Sequence, residues 1–338
     1  MKWAVNRPGQ GAGTLAQPFD HPGKDHLDLG RGVRERSDGA GELADAVGGG
    51  VTVQLADGAS LRCPQAHSFD LARQGYVSLL DGRSGALRAD TAAMVAARAR
   101  VHDSGFLLPV VDFVAGRAAE VTGGHDRPVI LDAGAGGGHY LRAAVEASGV
   151  PGGDGRSSAA GIGLDLSKYC ARAMARGPRP LAAVVADVWR GLPVVDDAVA
   201  VVLSVFAPRN ASEFARVLAP DGALIIVSPG PDHLGELIEP MAMLRVDEAK
   251  SERLRASLDA GFEVVDESPV RYSADVDAQT VGDLVAMGPS AFHSDEADIR
   301  SRAAAFAGDG RVPATVSVVV TTCRPARGRS PAQRRTDS

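Results

Sequence analysis

The sequence contains few cysteines, no long apolar run and no recognisable export signal. Its three cysteines, Cys63, Cys170 and Cys323, lie far apart in 338 residues, which excludes a disulfide framework and suits a reducing compartment. Because no run of about eighteen apolar residues is present, we expect no membrane span. The N-terminus lacks a basic start followed by an apolar segment, so we expect no secretory signal. We therefore expect a cytoplasmic protein without membrane contacts.

The overall charge excludes general binding to polyanions. The formal net charge is −6 at pH 7, so the chain is not a general polyanion binder. Any nucleic-acid surface must be a local patch of basic residues. The apolar content of 45% is sufficient for one large core or two modest ones.

Four segments of the chain differ in composition. Residues 1–50 are rich in glycine and charge and show no periodic apolar pattern, which predicts disorder or an extension unrelated to the rest. Residues 51–85 read as short strands, with Asp57-Gly58 as a hairpin turn, and predict a small β-rich module. Residues 86–325 form the main domain, and residues 326–338 are a basic tail.

In the main domain, apolar strands alternate with helical stretches. Because these strands are almost continuously apolar, both faces of their sheet should be covered by helices. The sequence therefore predicts a doubly wound α/β fold with an antiparallel last pair of strands. The segment DTAAMVAARARVHDSG predicts a preceding helix, with Asp90 or Thr91 near its N-cap and Gly105 beyond its end. The predicted strands are PVILDAG, GIGLDLS, LAAVVADV, AVAVVLSVF, ALIIVSPG, FEVVDE and TVSVVVTTC.

A glycine-rich segment follows the first strand of this domain. Gly134, Gly136, Gly137 and Gly138 lie where a doubly wound sheet binds its ligands, beyond the carboxyl ends of the strands. Without Cβ atoms, the backbone there can turn tightly and approach a ligand closely. A tight strand-to-helix turn uses glycine for structural reasons too, so the loop alone leaves both interpretations open.

Three successive strands end in a carboxylate, and this favours a cofactor site. Asp132 ends the first strand, Asp165 ends the second, where it can accept both hydroxyls of a ribose, and Asp187 ends the third, where it can contact an adenine amino group. Structural carboxylates are more typical of helix caps and exposed faces. The pattern resembles the class I S-adenosylmethionine-dependent methyltransferases, which have a Rossmann-like fold. A nicotinamide or flavin fold shares the first acidic strand end, but we do not expect it to have the third.

Several segments outside the cofactor loop carry a more specific resemblance. Taken together, they are similar to the 23S ribosomal RNA (guanine-N1)-methyltransferases, and most to the actinomycete branch that confers resistance to tylosin and related macrolides. The resemblance extends from about residue 51 to residue 325. The segments occur in the order LRCPQAHSFDLARQGYVSLL, VFAPRNASEFARVLAPDGALIIVSP, PDHLGEL, VAMGPSAFH and SVVVTTCRP.

The resemblance implies a substrate, a cofactor and a partner. Members of the family transfer a methyl group from S-adenosylmethionine to N1 of a guanine in a hairpin loop of 23S rRNA, in the large ribosomal subunit. They combine a small N-terminal zinc module with the cofactor domain, and a homodimer with a cleft for the RNA is expected.

The resemblance assigns cofactor-binding residues one at a time. Gly136 and Gly137 match the cofactor loop, and His233 in PDHLGEL matches a histidine beside the cofactor. Read without the resemblance, His233 is a polar residue at a helix start. Leu107 holds the place of a tyrosine that contacts the cofactor in the family, so it can pack against apolar atoms but offers no hydroxyl.

The expected zinc site is incomplete. Cys63 and His67 match two of the family's four ligands, but no cysteine precedes Cys63. A structural zinc normally takes four protein ligands. We therefore predict that this chain binds no zinc.

The target base is expected beyond the fourth strand of the main domain, in the segment VFAPRN. Phe206 can stack on the base, Asn210 can bind its edge, and Arg209 can hold a phosphate or the guanine O6. The alternative is a structural turn in which Asn210 caps the next helix and Glu213 completes a capping box.

Other residues are weaker candidates for RNA contacts. Phe292 or His293 in MGPSAFH can face the target, although structural packing explains them equally well. The arginines considered for RNA phosphates are Arg73, Arg83, Arg88, Arg98 and Arg100.

Two other functions remain open at this point. A small-molecule methyltransferase would share the cofactor half but have an enclosed apolar pocket. A non-catalytic RNA- or cofactor-binding relative is suggested by Leu107 and by the missing zinc cysteines.

Overall fold

The structure is a computed structural model, and it describes residues 54–56, 60–62, 68–80, 88–149, 159–177, 181–243, 258 and 261–326. The predictions for residues 1–50, for the tail beyond Ala326 and for the turn Asp57-Gly58 lie outside the described residues. The same holds for Cys63 and His67.

An eight-stranded sheet forms the centre of the protein. The strand order is β10-β11-β9-β8-β5-β6-β7-β4. Six neighbouring strands, from β9 to β4, are parallel, and β11 runs antiparallel between β9 and β10. This order confirms the doubly wound class I methyltransferase fold and its antiparallel last pair. The strands are β4 (Tyr76–Ser78), β5 (Val129–Ala133), β6 (Ala160–Asp165), β7 (Ala182–Val185), β8 (Val199–Val205), β9 (Leu218–Pro229), β10 (Phe262–Val276) and β11 (Val312–Pro325).

The topology has its switch point between β5 and β8. From β5 the chain moves outward through β6 and β7, and it then returns to β8 on the other side of β5 before continuing to β9. The loops after β5 and β8 therefore leave the same edge of the sheet in opposite directions, and such a crevice is where ligands bind.

Helices cover both faces of the sheet. They are α1 (Ala92–Asp103), α2 (Leu108–Thr122), α3 (His139–Ala147), α4 (Lys168–Arg176), α5 (Ala211–Val217), α6 (Gly235–Ile238), α7 (Ala278–Ala286) and α8 (Glu296–Ala307). The predicted start of α1 is confirmed, since Thr91 is its N-cap and Thr91 Oγ1 accepts a hydrogen bond from the Met94 amide at 3.3 Å.

The central strands are buried on both faces, as their apolar sequences predict. All seven residues of β8 and all five of β5 are buried. One core lies between the sheet and α2, α3 and α7, and a second lies on the opposite face, around Phe214 and Leu224. Because both faces are closed, the strand ends are the part of the sheet that remains open to a ligand.

The segment predicted as a small β-rich module divides between two sheets. β1 (Gln54–Ala56), β2 (Ser60–Arg62) and β3 (Ser68–Asp70) form a separate antiparallel sheet in the order β1-β2-β3. β4, by contrast, pairs in parallel with β7 and forms an edge of the main sheet. The alternation of side chains along a three-residue strand does not indicate which sheet the strand joins. The sequence therefore could not predict that β4 leaves the small sheet and joins the main one.

None of the helices in the described part of the chain is long and apolar enough to cross a membrane.

Candidate cofactor and target-base site

The glycine loop begins at a position that only glycine can occupy. Gly134 has a φ of +90°, and a Cβ added there would lie 2.5 Å from the Cβ of Ala207. Ala207 belongs to the loop after β8, where the target base is predicted. The missing side chain therefore lets the loops after β5 and β8 touch across the switch point.

Asp165 connects the glycine loop to the end of β6. Its Oδ2 accepts a hydrogen bond from the Gly136 amide at 2.9 Å, and its Oδ1 accepts one from the Ser167 amide at 2.8 Å. Burial raises the pKa of Asp165, and these two amide donors act in the opposite direction. The two predicted elements, the glycine loop and the second acidic strand end, are thus in direct contact.

Asp132 contributes a buried carboxylate oxygen that lacks a partner. The residue is 1% exposed, and its Oδ1 makes no hydrogen bond within the described part of the chain. Burial, together with the neighbouring charge of Asp165, raises the pKa of Asp132 to about 8. A buried polar atom without a partner is costly in a folded protein. Oδ1 of Asp132 is therefore a candidate to accept a hydrogen bond from a bound ligand.

Asp187 lies beyond β7, at the start of a 3-10 turn, Val188–Arg190. Its Oδ1 accepts a hydrogen bond from the Trp189 amide at 3.0 Å, and its Oδ2 lies 3.6 Å from Nε of Arg190. The carboxylate therefore has a structural role at this turn. Trp189, 63% exposed beside it, adds an aromatic surface that the sequence analysis did not single out.

Arg98 places a cation at the glycine loop. Its Nη1 lies 2.6 Å from Oδ2 of Asp90, and its Nη2 donates a hydrogen bond to the Met287 carbonyl at 2.8 Å. Nη1 also lies 3.2 Å from the position of a Cβ at Gly136. Arg98 is therefore bonded within the protein, and its contact with RNA phosphates stays a prediction. Its place beside the glycine loop depends on how α1 packs against the sheet, which no local pattern reports.

Two further residues at the glycine loop were missed. The rings of His102 and His139 stack at 3.9 Å with an angle of 3° between their planes. Burial lowers the pKa of His102 to about 3 and that of His139 to about 4, so both rings are neutral near pH 7. His139 Cε1 lies 2.8 Å from the position of a Cβ at Gly137, so the pair forms one wall of the loop.

Leu107 immediately precedes α2 and is 3% exposed. It packs in the core that also contains Phe106 and Val110. The Phe106 carbonyl accepts a hydrogen bond from the Tyr272 hydroxyl at 2.6 Å. Leu107 is thus an apolar residue at the position where the resemblance places a tyrosine.

Phe206 and His233 form an aromatic pair beyond β8 and β9, in which Phe206 is exposed and His233 is half-buried. Phe206 is 43% exposed and has a φ of +53°, which is rare for a residue other than glycine. Its ring centroid lies 5.8 Å from that of His233, with an angle of 27° between the planes. The structure thus brings together a predicted base-stacking residue and a residue predicted to lie beside the cofactor.

Arg209 and Asn210 make bonds within the protein. Arg209 Nη2 donates to Ser228 Oγ at 2.9 Å, and burial lowers the pKa of its guanidinium. Asn210 caps α5, since its Oδ1 accepts from the Glu213 amide at 3.4 Å, while its Nδ2 donates to the Val188 carbonyl at 2.9 Å. The structural interpretation of Asn210 is therefore confirmed, whereas its contact with a base stays a prediction.

The other candidates for RNA contact are dispersed. Arg100 is paired with Asp283, with Nη2 at 2.5 Å from Oδ1 and Nε at 2.8 Å from Oδ2. Arg88 lies over the ring of Phe292 at 5.7 Å, and His293 and Arg73 are exposed. Arg83 lies outside the described residues.

The residues that the structure describes contain no group of three or more histidine, cysteine or acidic side chains able to hold a metal. Cys170, on α4, and Cys323, on β11, are buried and free. Both belong to the main domain. The prediction of an incomplete zinc site at Cys63 and His67 lies outside the described residues and stays a prediction.

Comparison with known proteins finds relatives that match more than three quarters of this chain. A protein of Streptomyces fradiae named "23S rRNA (guanine(748)-N(1))-methyltransferase" is 42% identical over 266 residues, which are 79% of this chain and 91% of that protein. This chain belongs to the 23S rRNA (guanine-N1)-methyltransferase family. A second relative, from Micromonospora griseorubida and named "Putative 23S rRNA (guanine-N(1)-)-methyltransferase", is 42% identical over 277 residues, or 78% of this chain and 90% of the relative.

The N-terminal segment also matches a family model. Residues 53–82 match the family model described as RlmA, N-terminal, a zinc-ribbon family. Among solved structures, the YcgJ protein of Bacillus subtilis matches with 14% identity and a TM-score of 0.43, covering 64% of this chain and 99% of that one. The fold assignment of this family member rests on its strand order.

Proposed function

We propose that this protein transfers a methyl group from S-adenosylmethionine to N1 of a guanine in a hairpin loop of 23S rRNA. By its similarity to the Streptomyces fradiae relative, the target is the guanine-748 type, and the result is resistance to tylosin-type macrolides. Such a substrate places the reaction in the cytoplasm. The observation that carries the proposal is the cluster of Asp132, Asp165 and the glycine loop at the switch point of a chain belonging to this family.

The residues present fit the cofactor. We assign Asp165 to the ribose hydroxyls, Asp187 to the adenine amino group, and the unpartnered Oδ1 of Asp132 to a donor of the bound ligand or its water shell. Gly134, Gly136 and Gly137 admit the cofactor close to the backbone, and Leu107 supplies apolar contact. When bound, S-adenosylmethionine supplies a methyl group already activated by its sulfonium. The protein therefore needs to position its substrates rather than provide a nucleophile.

Arg98 gives the same site a positive charge. It is held by Asp90 and the Met287 carbonyl, and it lies against Gly136. We assign it to the carboxylate of the methionine part of the cofactor, because an arginine presents several donors to a carboxylate at once.

The target-base side is assigned to the loop after β8. Phe206 is exposed and stacks on a guanine extruded from the hairpin loop. Arg209 and Asn210 are bonded to Ser228 and Val188, so they hold the loop that presents Phe206. We propose that Arg209 and Asn210 position this loop. Any contact that they make with the guanine is limited to the edge of the base.

The proposed partner is the large ribosomal subunit, through its 23S rRNA, and a homodimer stays a prediction that light scattering can test. We also propose that the chain binds no zinc, because four ligands cannot be assembled from its cysteines. Metal analysis of the purified protein checks this, and one zinc per chain would contradict it.

The decisive experiment measures transfer of labelled methyl from S-adenosylmethionine to 23S RNA. Primer extension should then stop at the modified guanine, because a methyl on N1 blocks base pairing. Methylation of a small molecule but not of RNA would favour the first alternative. Micromolar cofactor binding without any methylation would favour the non-catalytic one.

A further inference from the structure

Strained backbone lies at the aromatic pair Phe206–His233, in the loops that follow two neighbouring strands. Phe206, after β8, and Leu234, after β9, both have a φ of +53°. This conformation is energetically unfavourable for a residue with a side chain. It is maintained by two hydrogen bonds, from the Phe206 amide to the Val227 carbonyl at 3.1 Å and from the Leu234 amide to the Thr315 carbonyl at 2.7 Å. Strain of this kind is typical of sites where a side chain must be presented in one orientation.

The hydrogen bonds of His233 determine which ring nitrogen carries its proton. The Ser317 amide donates to Nδ1 of His233 at 3.3 Å, so Nδ1 is the acceptor. Burial lowers the pKa of His233 to about 4, despite the nearby carboxylate of Asp232. The ring is therefore neutral near pH 7, and its proton lies on Nε2.

The Nε2–H group of His233 has no acceptor among the described residues. Ser317 lies on β11, and the sheet order is β11-β9-β8. Because Nδ1 is bonded to β11, the Nε2 edge of the ring is turned away from that strand. A donor of fixed direction is thus presented next to an exposed aromatic ring.

The geometry of the pair leaves room for a base. For rings in contact at roughly 3.5 Å, the centroid distance of 5.8 Å corresponds to a sideways displacement of about 4.6 Å. His233 therefore overlaps only the margin of the Phe206 ring. A base stacked on the uncovered part of that ring would lie beside His233, edge to edge, rather than behind it.

We propose that Nε2–H of His233 donates a hydrogen bond to O6 of the target guanine while the base stacks on Phe206. The proposal rests on the proposed function and deepens it, because it makes His233 the residue that selects guanine. Guanine presents an acceptor at this position, whereas adenine presents an amino donor. Two donors facing each other would leave both unpaired, which disfavours adenine.

The same bond favours loss of the N1 proton. When that proton passes to a water molecule, the electron pair of the N–H bond stays on the base and is shared between N1 and O6. His233 keeps its own proton throughout and donates to an O6 that becomes more negative. An interaction that strengthens along the reaction raises kcat rather than lowering KM alone.

Two variants at position 233 separate this role from packing. His233→Phe keeps a ring against Phe206 but removes the donor, and His233→Gln keeps an amide donor near the position of Nε2. We expect His233→Phe to lower kcat by about 10- to 100-fold and to reduce the preference for a guanine over an adenine hairpin in RNA binding by about 10-fold. His233→Gln should retain most of both properties. Cofactor affinity, measured by calorimetry, is the readout for the alternative in which His233 contacts only the cofactor.

The outcomes distinguish this inference from the proposed function. If the wild-type protein methylates no 23S hairpin, the proposed function itself fails. If the wild type is active and His233→Phe weakens cofactor binding while kcat and base preference are kept, His233 is a cofactor residue and this inference is overturned. A ¹⁵N spectrum of the wild-type imidazole offers a test independent of activity and of any variant. It should show the Nε2-protonated ring, and the opposite tautomer would refute the proposal.

Discussion

The cofactor side and the target-base side of the site are stabilised in different ways. On the cofactor side, Asp132 and Asp165 are buried, and Asp165 is bonded to the glycine loop. On the target-base side, Phe206 is exposed and is held in a strained conformation by the strand ends below it. The first arrangement suits a small ligand that is enclosed, and the second suits a base that arrives on a large, folded RNA. Four substitutions or titrations test this contrast.

The largest effect is expected from Gly134→Ala. The new methyl group would lie 2.5 Å from Ala207 in a backbone with a φ of +90°. We expect the free energy of unfolding to fall by about 2–5 kcal/mol, measured by urea denaturation, because overpacking and backbone strain add.

Gly116→Ala is the matched control for this change. Gly116 lies within α2, and a Cβ there would meet nothing within 4 Å. It should stabilise the protein by up to about 1 kcal/mol. Equal losses in the two variants would show that the loop is not specially constrained.

A second test of the cofactor side is Asp165→Ala. A hydrogen bond to a charged group contributes about 1.5–3 kcal/mol, and Asp165 is assigned to two ribose hydroxyls. The dissociation constant for S-adenosylmethionine should rise at least about 100-fold in calorimetry. Asp266→Ala is the control, since that carboxylate pairs with Arg117 on a different part of the sheet and should leave cofactor affinity as it is. Undiminished binding by Asp165→Ala would contradict the assigned site.

Phe206→Gly tests the target-base side. Glycine relieves the strain at a φ of +53°, while the lost contact with His233 offsets this gain. The free energy of unfolding should therefore change by less than about 1 kcal/mol. Methylation of the RNA hairpin should fall about 10- to 100-fold, because base stacking on an aromatic ring contributes about 1–3 kcal/mol. Full activity in this variant would exclude stacking on Phe206.

The last test concerns the pH dependence of stability, which should have opposite signs on the two sides. The pKa of Asp132 is raised from 3.8 to about 8, so the folded state gains a proton, and stability is lost as pH rises from about 4 to 8. The pKa of His233 is lowered from 6.5 to about 4, so stability is lost as pH falls from 6.5 to 4. Asp132→Asn should remove the contribution of Asp132 to the first slope, and His233→Gln that of His233 to the second.

Each slope is at most about 1.4 kcal/mol per pH unit for one group. Urea denaturation without cofactor from pH 4 to 8 measures them. His102 and His139 titrate in the same direction as His233, so part of the acid-side loss should persist in His233→Gln. If both variants altered the pH dependence of the free energy of unfolding in the same direction, the surroundings of Asp132 and His233 would not differ in the expected way.

The candidate site was predictable where it depends on positions along one strand. Asp132 and Asp165 lie at the carboxyl ends of apolar strands, and neighbouring parallel strands end at the same edge of a sheet, so their proximity was expected. Arg98 and His102 were not predicted as cofactor-site residues, because they lie on α1, before the first strand of the central α/β alternation. Only the packing of that helix against the glycine loop brings them there.

By itself, the sequence determined the order of the main strands, the glycine loop and the three acidic strand ends, because apolar periodicity and strand-end chemistry are local properties. It also determined the family, through segments whose order is kept along the chain. Tertiary structure alone decided that β4 joins the main sheet, that Arg98 lies at the cofactor loop, and that Phe206 and His233 meet. These contacts join residues distant in sequence, and they depend on which elements pack together rather than on any pattern within one element.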